Sequence, residues 1–397
     1  MRKVYLFTIV LSSIIFQSNA QWEAKSSIPE GRHHPVTLGF DDFGYVATGT
    51  NTTGAPTKDV YRYDPTTDMW NTLPDFPGDA RSFAIGEEYN GKGYMGFGAS
   101  SFSLLRDLWE FDPETETWTE LAPCPCPGRR HPAFVALDGK IYMGLGDGSG
   151  GNYNDWWEYD IASDSWEQMP NLPGYQRHHP YQFEAGGQLY AGMGHGNFGI
   201  YKDWYRFNLQ SKQWEPMNDF PDEARVAGSQ FDFNGDGYVL SGDGDDHSWM
   251  QQGEFWKYNH ASDTWEELPP HPGISKWAPG AFVIDRTAYF IAGQNRQTNV
   301  ITDDVWAYTF EIPASTNHAQ QDPNAVDVYP NPATDLVQIN TEKSIAQIQL
   351  LDLTGRLILN ERAVNKQINL SELPAGTYLM KVTFEDGSTA NQPLIKQ

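Results

Sequence analysis

The chain has 397 residues, with 52 acidic against 27 basic side chains and a net charge of −25. Such an excess of carboxylates repels phosphate backbones, so nucleic acid is not an expected partner; the same charge favours solubility. Its two cysteines, Cys124 and Cys126, are separated by one proline in the turn APCPCPG, and no Cys–His set has the spacing of a zinc site.

The first predicted element is an export signal over residues 1–20. Arg2 and Lys3 form its basic start, Val4 to Phe16 is mostly apolar, and Ser18-Asn19-Ala20 supplies small residues for cleavage. The apolar run is short for a membrane span, and no other segment is a candidate, so the mature chain is expected to start at Gln21 without a transmembrane segment. Losing Arg2 and Lys3 takes the net charge from −25 to −27. An oxidising destination would permit a Cys124–Cys126 bridge, although a bridge across one proline is expected to be strained.

A repeat follows. Trp22, Trp70, Trp118, Trp166 and Trp214 are spaced by 48 residues, and Trp265 comes 51 after the last of them. Tyr45, Tyr94, Tyr142, Tyr190, Tyr238 and Tyr289 keep the same phase, each opening a stretch that ends in glycine (YVATG, YMGFG, YMGLG, YAGMG, YVLSG, YFIAG). A third series is acidic and aromatic: DVYRYD, DLWEFD, DWWEYD, DWYRFN, EFWKYN, DVWAYT. Each unit reads as about four short strands separated by Gly/Pro/Asn/Asp turns, the content of one propeller blade.

These motifs resemble the kelch repeat over residues 21–312, although the usual double glycine is often G-x-G here. The resemblance implies an all-β, six-bladed kelch β-propeller. DVWAYTFEIP ends the last unit without a tryptophan strand, and QWEAKSSIPE is a tryptophan strand without a unit before it. The N-terminal strand is therefore expected to complete the last blade, which removes exposed sheet edges.

Residues 313–325 have linker composition. From 326 to 397 the tryptophans stop and short alternating runs (LVQIN, IAQIQLLDL, RLILNE, TYLMKVTF) predict a small C-terminal β-sandwich. VYPNPATD, LLDLTGRLI and LPAGTYLMKV closely resemble the C-terminal sorting domain of the type IX secretion system. That resemblance implies a Bacteroidetes-type source, recognition by the type IX machinery, a secreted or outer-surface location, and removal of the domain on arrival. The alternative is an ordinary appended sandwich domain.

Thirteen residues before each repeat tyrosine lies a cation: Arg32, Arg81, Arg129, Arg177, Arg225 and Lys276. Five residues after it lie Thr50, Ala99, Asp147, His195, Asp243 and Gln294. The first series opens strand one and the second follows strand two. Antiparallel pairing brings both to one mouth of the central channel, where the long loops TNTTGAPTK and DGSGGNYN also leave. The arginines are either structural, satisfied by carbonyls and acids, or donor forks for an anionic ligand. GRHHP, GRRHP and QRHHP add His33, His34, His131, His178 and His179, with His34, His131 and His179 in register. The candidate ligand-binding set is therefore Arg32, His34, Arg129, His131, Arg177, His179, Asp147, His195 and Asp243. Imidazoles and carboxylates converging there suit a metal or acid–base chemistry, and protonated histidines would favour an anion as pH falls. Repeat expansion alone would also copy histidines.

Asp232, Asn234, Asp236 and Gly237 match the start of a calcium loop, so a structural calcium is the one cofactor considered. The same residues also read as a plain hairpin turn. No nucleophile elbow, phosphate loop or paired-carboxylate signature is present, so no catalytic residue is assigned. Two functions remain: a binding module for a glycan or protein ligand, or a carbohydrate-active enzyme resembling the kelch-type sialic-acid mutarotase/epimerase. A copper-radical oxidase is excluded, because both cysteines lie in an inter-blade turn.

Overall fold

In the computed structural model the described residues are 22–310 and, beyond them, 326–396 except 330–332, 335, 342, 352–355, 362–365, 372, 375 and 386–387. The expected export signal (1–20) and linker (313–325) lie outside the described residues. The chain divides into two compact units between Phe310 and Glu311. Both are built from antiparallel strands, and among the described residues the single helical turn is a 3₁₀ turn, Asp245–His247.

Among the described residues, the first unit holds six sheets of four or five strands, besides three ribbons of two or three very short strands. Sheet one comprises Val36–Gly39, Gly44–Ala47, Val60–Asp64 and Met69–Leu73; sheet two comprises Ile85–Tyr89, Lys92–Gly96, Leu108–Asp112 and Thr117–Leu121. Sheet three is Ala133–Leu137, Lys140–Gly144, Trp156–Asp160 and Ser165–Met169; sheet four is Tyr181–Ala185, Gln188–Gly192, Trp204–Asn208 and Gln213–Met217. Sheet five is Ser229–Phe233, Asp236–Leu240, Phe255–Asn259 and Thr264–Glu267. Sheet six combines Gly280–Ile284, Thr287–Asn295 and Val300–Thr309 with the N-terminal Trp22–Lys25, and also pairs Lys276–Trp277. Turn chemistry sets the first hairpins. Asn90-Gly91, Asp138-Gly139 and Asn234-Gly235 all have positive φ, the two-residue geometry that joins twisted strands tightly.

The first strands of the sheets meet in chain order, one against two through five against six, and that of sheet six touches that of sheet one. Thr37 donates across this last contact to the Ala281 carbonyl at 2.6 Å. Apolar layers fill the spaces between neighbours. Val36, Leu38 and Tyr45 of sheet one share a layer with Met95 and Phe111 of sheet two, and Val46 and Tyr63 pack with Phe282, Tyr289 and Ile291 of sheet six.

The periodic tryptophans lie on the outermost strands and stitch each sheet to the one before. Trp70 donates to the Ser26 carbonyl at 2.8 Å, Trp166 to Ala122 at 2.8 Å and Trp214 to Pro170 at 3.0 Å. Trp22 does the same from the N-terminal strand, donating to the Pro269 carbonyl just past the last strand of sheet five at 3.0 Å. Its strand pairs with the last one in the register Trp22↔Tyr308 to Lys25↔Val305.

Cys124 and Cys126 are bridged and buried.

The second unit has a three-stranded sheet (Asp327–Tyr329, Leu336–Asn340, Gln367–Asn369) and a four-stranded one (Leu357–Glu361, Ile345–Leu351, Gly376–Phe384, Thr389–Lys396). Val337, Ile339 and Ile368 of the first share a core with Ile348, Leu350, Met380, Val382 and Leu394 of the second.

Candidate functional site

The six periodic cations come first, because they frame the site. Arg32, Arg81, Arg129, Arg177 and Arg225 have no exposed surface, and Lys276 has 6%. Each meets an acid of its own unit: Asp59, Asp107, Asp155, Asp203 or Glu254, directly before the third strand, or Asp304, within it. The forks of Arg32, Arg81, Arg129 and Arg177 are largely spent, whereas Arg225 pairs through Nη2 alone and leaves Nε and Nη1 without a hydrogen bond. Arg177 donates Nη1 and Nη2 to the two Asp203 oxygens at 2.5 and 2.7 Å, Nη1 to the Met193 carbonyl at 3.0 Å and Nε to the Tyr175 carbonyl at 3.0 Å. Arg32 and Arg129 repeat this pattern with Asp59 and Asp155. In sheets two, three, five and six a tryptophan donates to the same acid. The cation series and the acidic-aromatic series thus meet in one repeated ion pair. Arg32, Arg129 and Arg177 do not line the cavity described next; they tie strand one to strand three behind it.

Two residues after each cation the backbone turns left-handed, at His34, Phe83, His131, His179, Ala227 and Ala278, all with φ between 48° and 63°. Backbone N–H groups there donate to the equivalent carbonyl next door: His131 to Phe83, His179 to His131, Ala278 to Ala227 and His34 to Ala278, at 2.7–3.2 Å. All six line a cavity of about 270 Å³ enclosed by the first strands. They occupy the end where those strands begin.

Three of the six are histidines, and they converge. His34 Nε2 lies 2.8 Å from His179 Nε2, and the His131 and His179 rings stack with centroids 3.5 Å apart. His131 Nδ1 contacts Asp147 Oδ1 at 2.9 Å, Arg130 pairs with the same carboxylate, and His131 Nε2 is buried without a hydrogen-bond partner. His33 Nδ1 reaches His34 Nδ1 at 2.6 Å. Burial holds these imidazoles neutral: His33 and His178 are pulled down to about 4, and His34 and His179 well below their usual value. Burial also lowers His131, against the opposing pull of Asp147. Desolvation thus disfavours the imidazolium here and moves any gain of charge by these histidines to lower pH.

A second group lies beside these histidines, outside the residues that line the cavity. The His178 and His195 rings are 5.1 Å apart, and His195 and His247 4.5 Å. Asp243 is 0% exposed, and neither carboxylate oxygen has a hydrogen bond. Arg296 Nη2 lies 3.5 Å and His247 Nδ1 3.9 Å from its Oδ2. Burial pushes the carboxyl up to about 6, with Arg296 opposing. The Arg296 guanidinium lies 5.3 Å from the Trp277 ring centroid, and Trp277 packs edge-on to His34 at 4.5 Å.

Of the residues singled out in the sequence, His34, His131, His179 and Asp147 come together, and His195 and Asp243 join through His178 and His247. Arg130, Trp277, His247 and Arg296 were missed. Arg130 and Trp277 directly follow a periodic cation, where His33 and His178 stand, so counting one residue on would have found them. His247 and Arg296 lie in loops of unequal length, which carry no phase.

The calcium-like residues do not form a loop site. Asn234 and Gly235 make the hairpin turn. Asp232 pairs in register with Gly237 and Asp236 with Phe233, so the two carboxylates leave opposite faces of the hairpin. Asp236 is bound to Lys257 at 2.7 Å, whereas Asp232 lines the far end of the cavity.

Comparison with known proteins places the second unit. A family model described as "Secretion system C-terminal sorting domain" matches residues 327–397. The protein is thus marked for type IX export to the cell surface or the exterior and carries the surface that this machinery recognises. No helix among the described residues is long and apolar enough to cross a membrane. The chain is also similar to Beta-agarase D of Zobellia galactanivorans, 30% identical over 87 residues, covering 22% of this chain and 18% of that protein. The chain thus spans under a fifth of that relative.

Proposed function

We propose that the first unit is a six-bladed propeller of the kelch type, and that the exported protein uses it to bind carbohydrate at the histidine-rich mouth. The cyclic order of contacts, the repeated ion pair and the N-terminal strand in the last sheet support the architecture. The observation that carries the ligand class is Asp243. A buried carboxylate without hydrogen bonds is costly unless a ligand supplies donors, and sugar hydroxyls do so. Neutral imidazoles beside it donate or accept without adding charge, and Trp277 offers an aromatic wall of the kind that packs on sugar rings. These groups suit a polyhydroxylated ligand better than a strongly anionic one. The similarity to a protein named as an agarase is in keeping with a carbohydrate ligand. A second reading, an epimerase- or mutarotase-like activity, is favoured by one observation: Asp243 is held near pH 6, where a carboxyl both gives and takes protons.

The test is retention of the full chain on an array of neutral and acidic glycans. Neutral oligosaccharides are expected to bind, and Asp243→Ala to weaken them at least tenfold, on the order of the loss of a charge-assisted hydrogen bond, without a lower melting temperature. No binding above background, or binding unaffected by Asp243→Ala, overturns the assignment. Interconversion of sugar anomers or epimers by the same sample, followed by NMR, would favour the enzyme.

A further inference from the structure

We propose that His34, His131 and His179 form a three-histidine site for a divalent transition metal, with its remaining coordination position facing the cavity. The metal-ligating nitrogens of the three rings lie within 4.8 Å of one another. A tetrahedral ion with metal–nitrogen bonds of about 2.0–2.1 Å needs nitrogens roughly 3.3 Å apart. The 2.8 Å between the His34 and His179 nitrogens and the 4.8 Å limit for the set bracket that spacing.

Three further features point the same way. His131 presents a buried, unpartnered Nε2, while its Nδ1 is held by Asp147 at 2.9 Å. A carboxylate behind an imidazole is the usual support of a metal-binding histidine, fixing the tautomer and the ring orientation. His34 is held in the same sense through Nδ1 by His33. The backbone beneath the rings is also fixed, since His34, His131 and His179 are left-handed residues hydrogen-bonded to neighbouring units. Packing alone does not ask for imidazole here, because Phe83, Ala227 and Ala278 fill the same position in the other three units.

Uncharged nitrogen donors select zinc, copper, nickel or cobalt over calcium or magnesium, which prefer oxygen. All three histidines line the cavity. Three protein ligands facing an enclosed space leave a position for water or a ligand oxygen, the arrangement of an exchangeable rather than a closed structural site. This inference stands whether or not the ligand of the mouth is a carbohydrate.

The experiment uses the full chain, stripped with a chelator and titrated with Zn²⁺ by calorimetry and with Co²⁺ by visible absorption. One equivalent should bind per chain, and the Co²⁺ band should have the intensity of a four- or five-coordinate ion. His131→Gln and His179→Gln should each weaken Zn²⁺ at least a hundredfold. Asp147→Asn should weaken it about 10–100-fold, the usual effect of losing such a support. His260→Gln, outside the cluster, should bind as the parent does. Substoichiometric binding by the parent, a weak octahedral Co²⁺ spectrum, or undiminished affinity in His131→Gln overturns the site. If a histidine variant does not fold, the parent's stoichiometry and Co²⁺ spectrum decide the question.

Discussion

At the scale of single residues, burial assigns the roles. Arg177 has no exposed surface and meets Asp203 through both oxygens, with its guanidinium 4.7 Å from the Tyr201 ring centroid. Removing it leaves Asp203, whose side chain is 28% exposed, without its partner. Because water reaches part of that carboxylate, the cost falls somewhat below that of a fully buried pair. Arg177→Ala should lower unfolding stability by about 2–4 kcal/mol, measured by urea denaturation. A loss below about 0.5 kcal/mol would show the pair to be as weak as a surface one. Asp232, at the far end of the cavity, is a contrasting case. Burial, reinforced by the charge of Glu184, pushes its carboxyl up to about 7. The unfolded chain releases that proton near pH 4, so the folded chain holds more protons between about 4 and 7. Its contribution to stability is therefore greatest below pH 4 and is lost as pH rises through 7. Asp232→Asn should raise the melting temperature at pH 8 by ~2–5 °C and leave it nearly unchanged at pH 4, as read by calorimetry. A pH-independent difference would rule this linkage out.

Single strands repeat one connection, and the N-terminal strand shows what it is worth. Trp22 is 8% exposed, sits edge-on to Phe255 at 5.5 Å and donates its indole to sheet five. Its backbone covers the outer edge of Val300–Thr309. Trp22→Ala removes a large buried ring and a hydrogen bond together and should cost about 3–5 kcal/mol in chemical denaturation. An effect under about 1 kcal/mol would mean that sheet six does not depend on this strand. The inner hairpins obey a more local rule. Two successive positive-φ residues turn the chain, which is why Asn-Gly and Asp-Gly recur there and why Asp232-to-Gly237 is a turn, not a calcium loop.

For the whole molecule, the two units divide the work. The second carries the export address, and the first encloses the histidine-lined cavity. The sequence by itself determined the strand content, the phase of the repeat, the tight turns and the sorting motifs. Each of these is written within tens of residues, through alternation, turn chemistry and spacing. It also marked the histidines in register and the periodic cations. What it left open was the partner of each. Arg177 and Asp203 are 26 residues apart, and only the pairing of strands within a sheet makes them neighbours. His34 and His179 are 145 residues apart, and their ring nitrogens meet at 2.8 Å because separate sheets each contribute one left-handed residue to a common end of the cavity. Asp243 was marked by its phase, but His247 and Arg296, which face it, come from loops without periodicity. Tertiary structure alone decided which charges are spent in the frame and which face the mouth, because desolvation and contact depend on distances that local sequence does not encode.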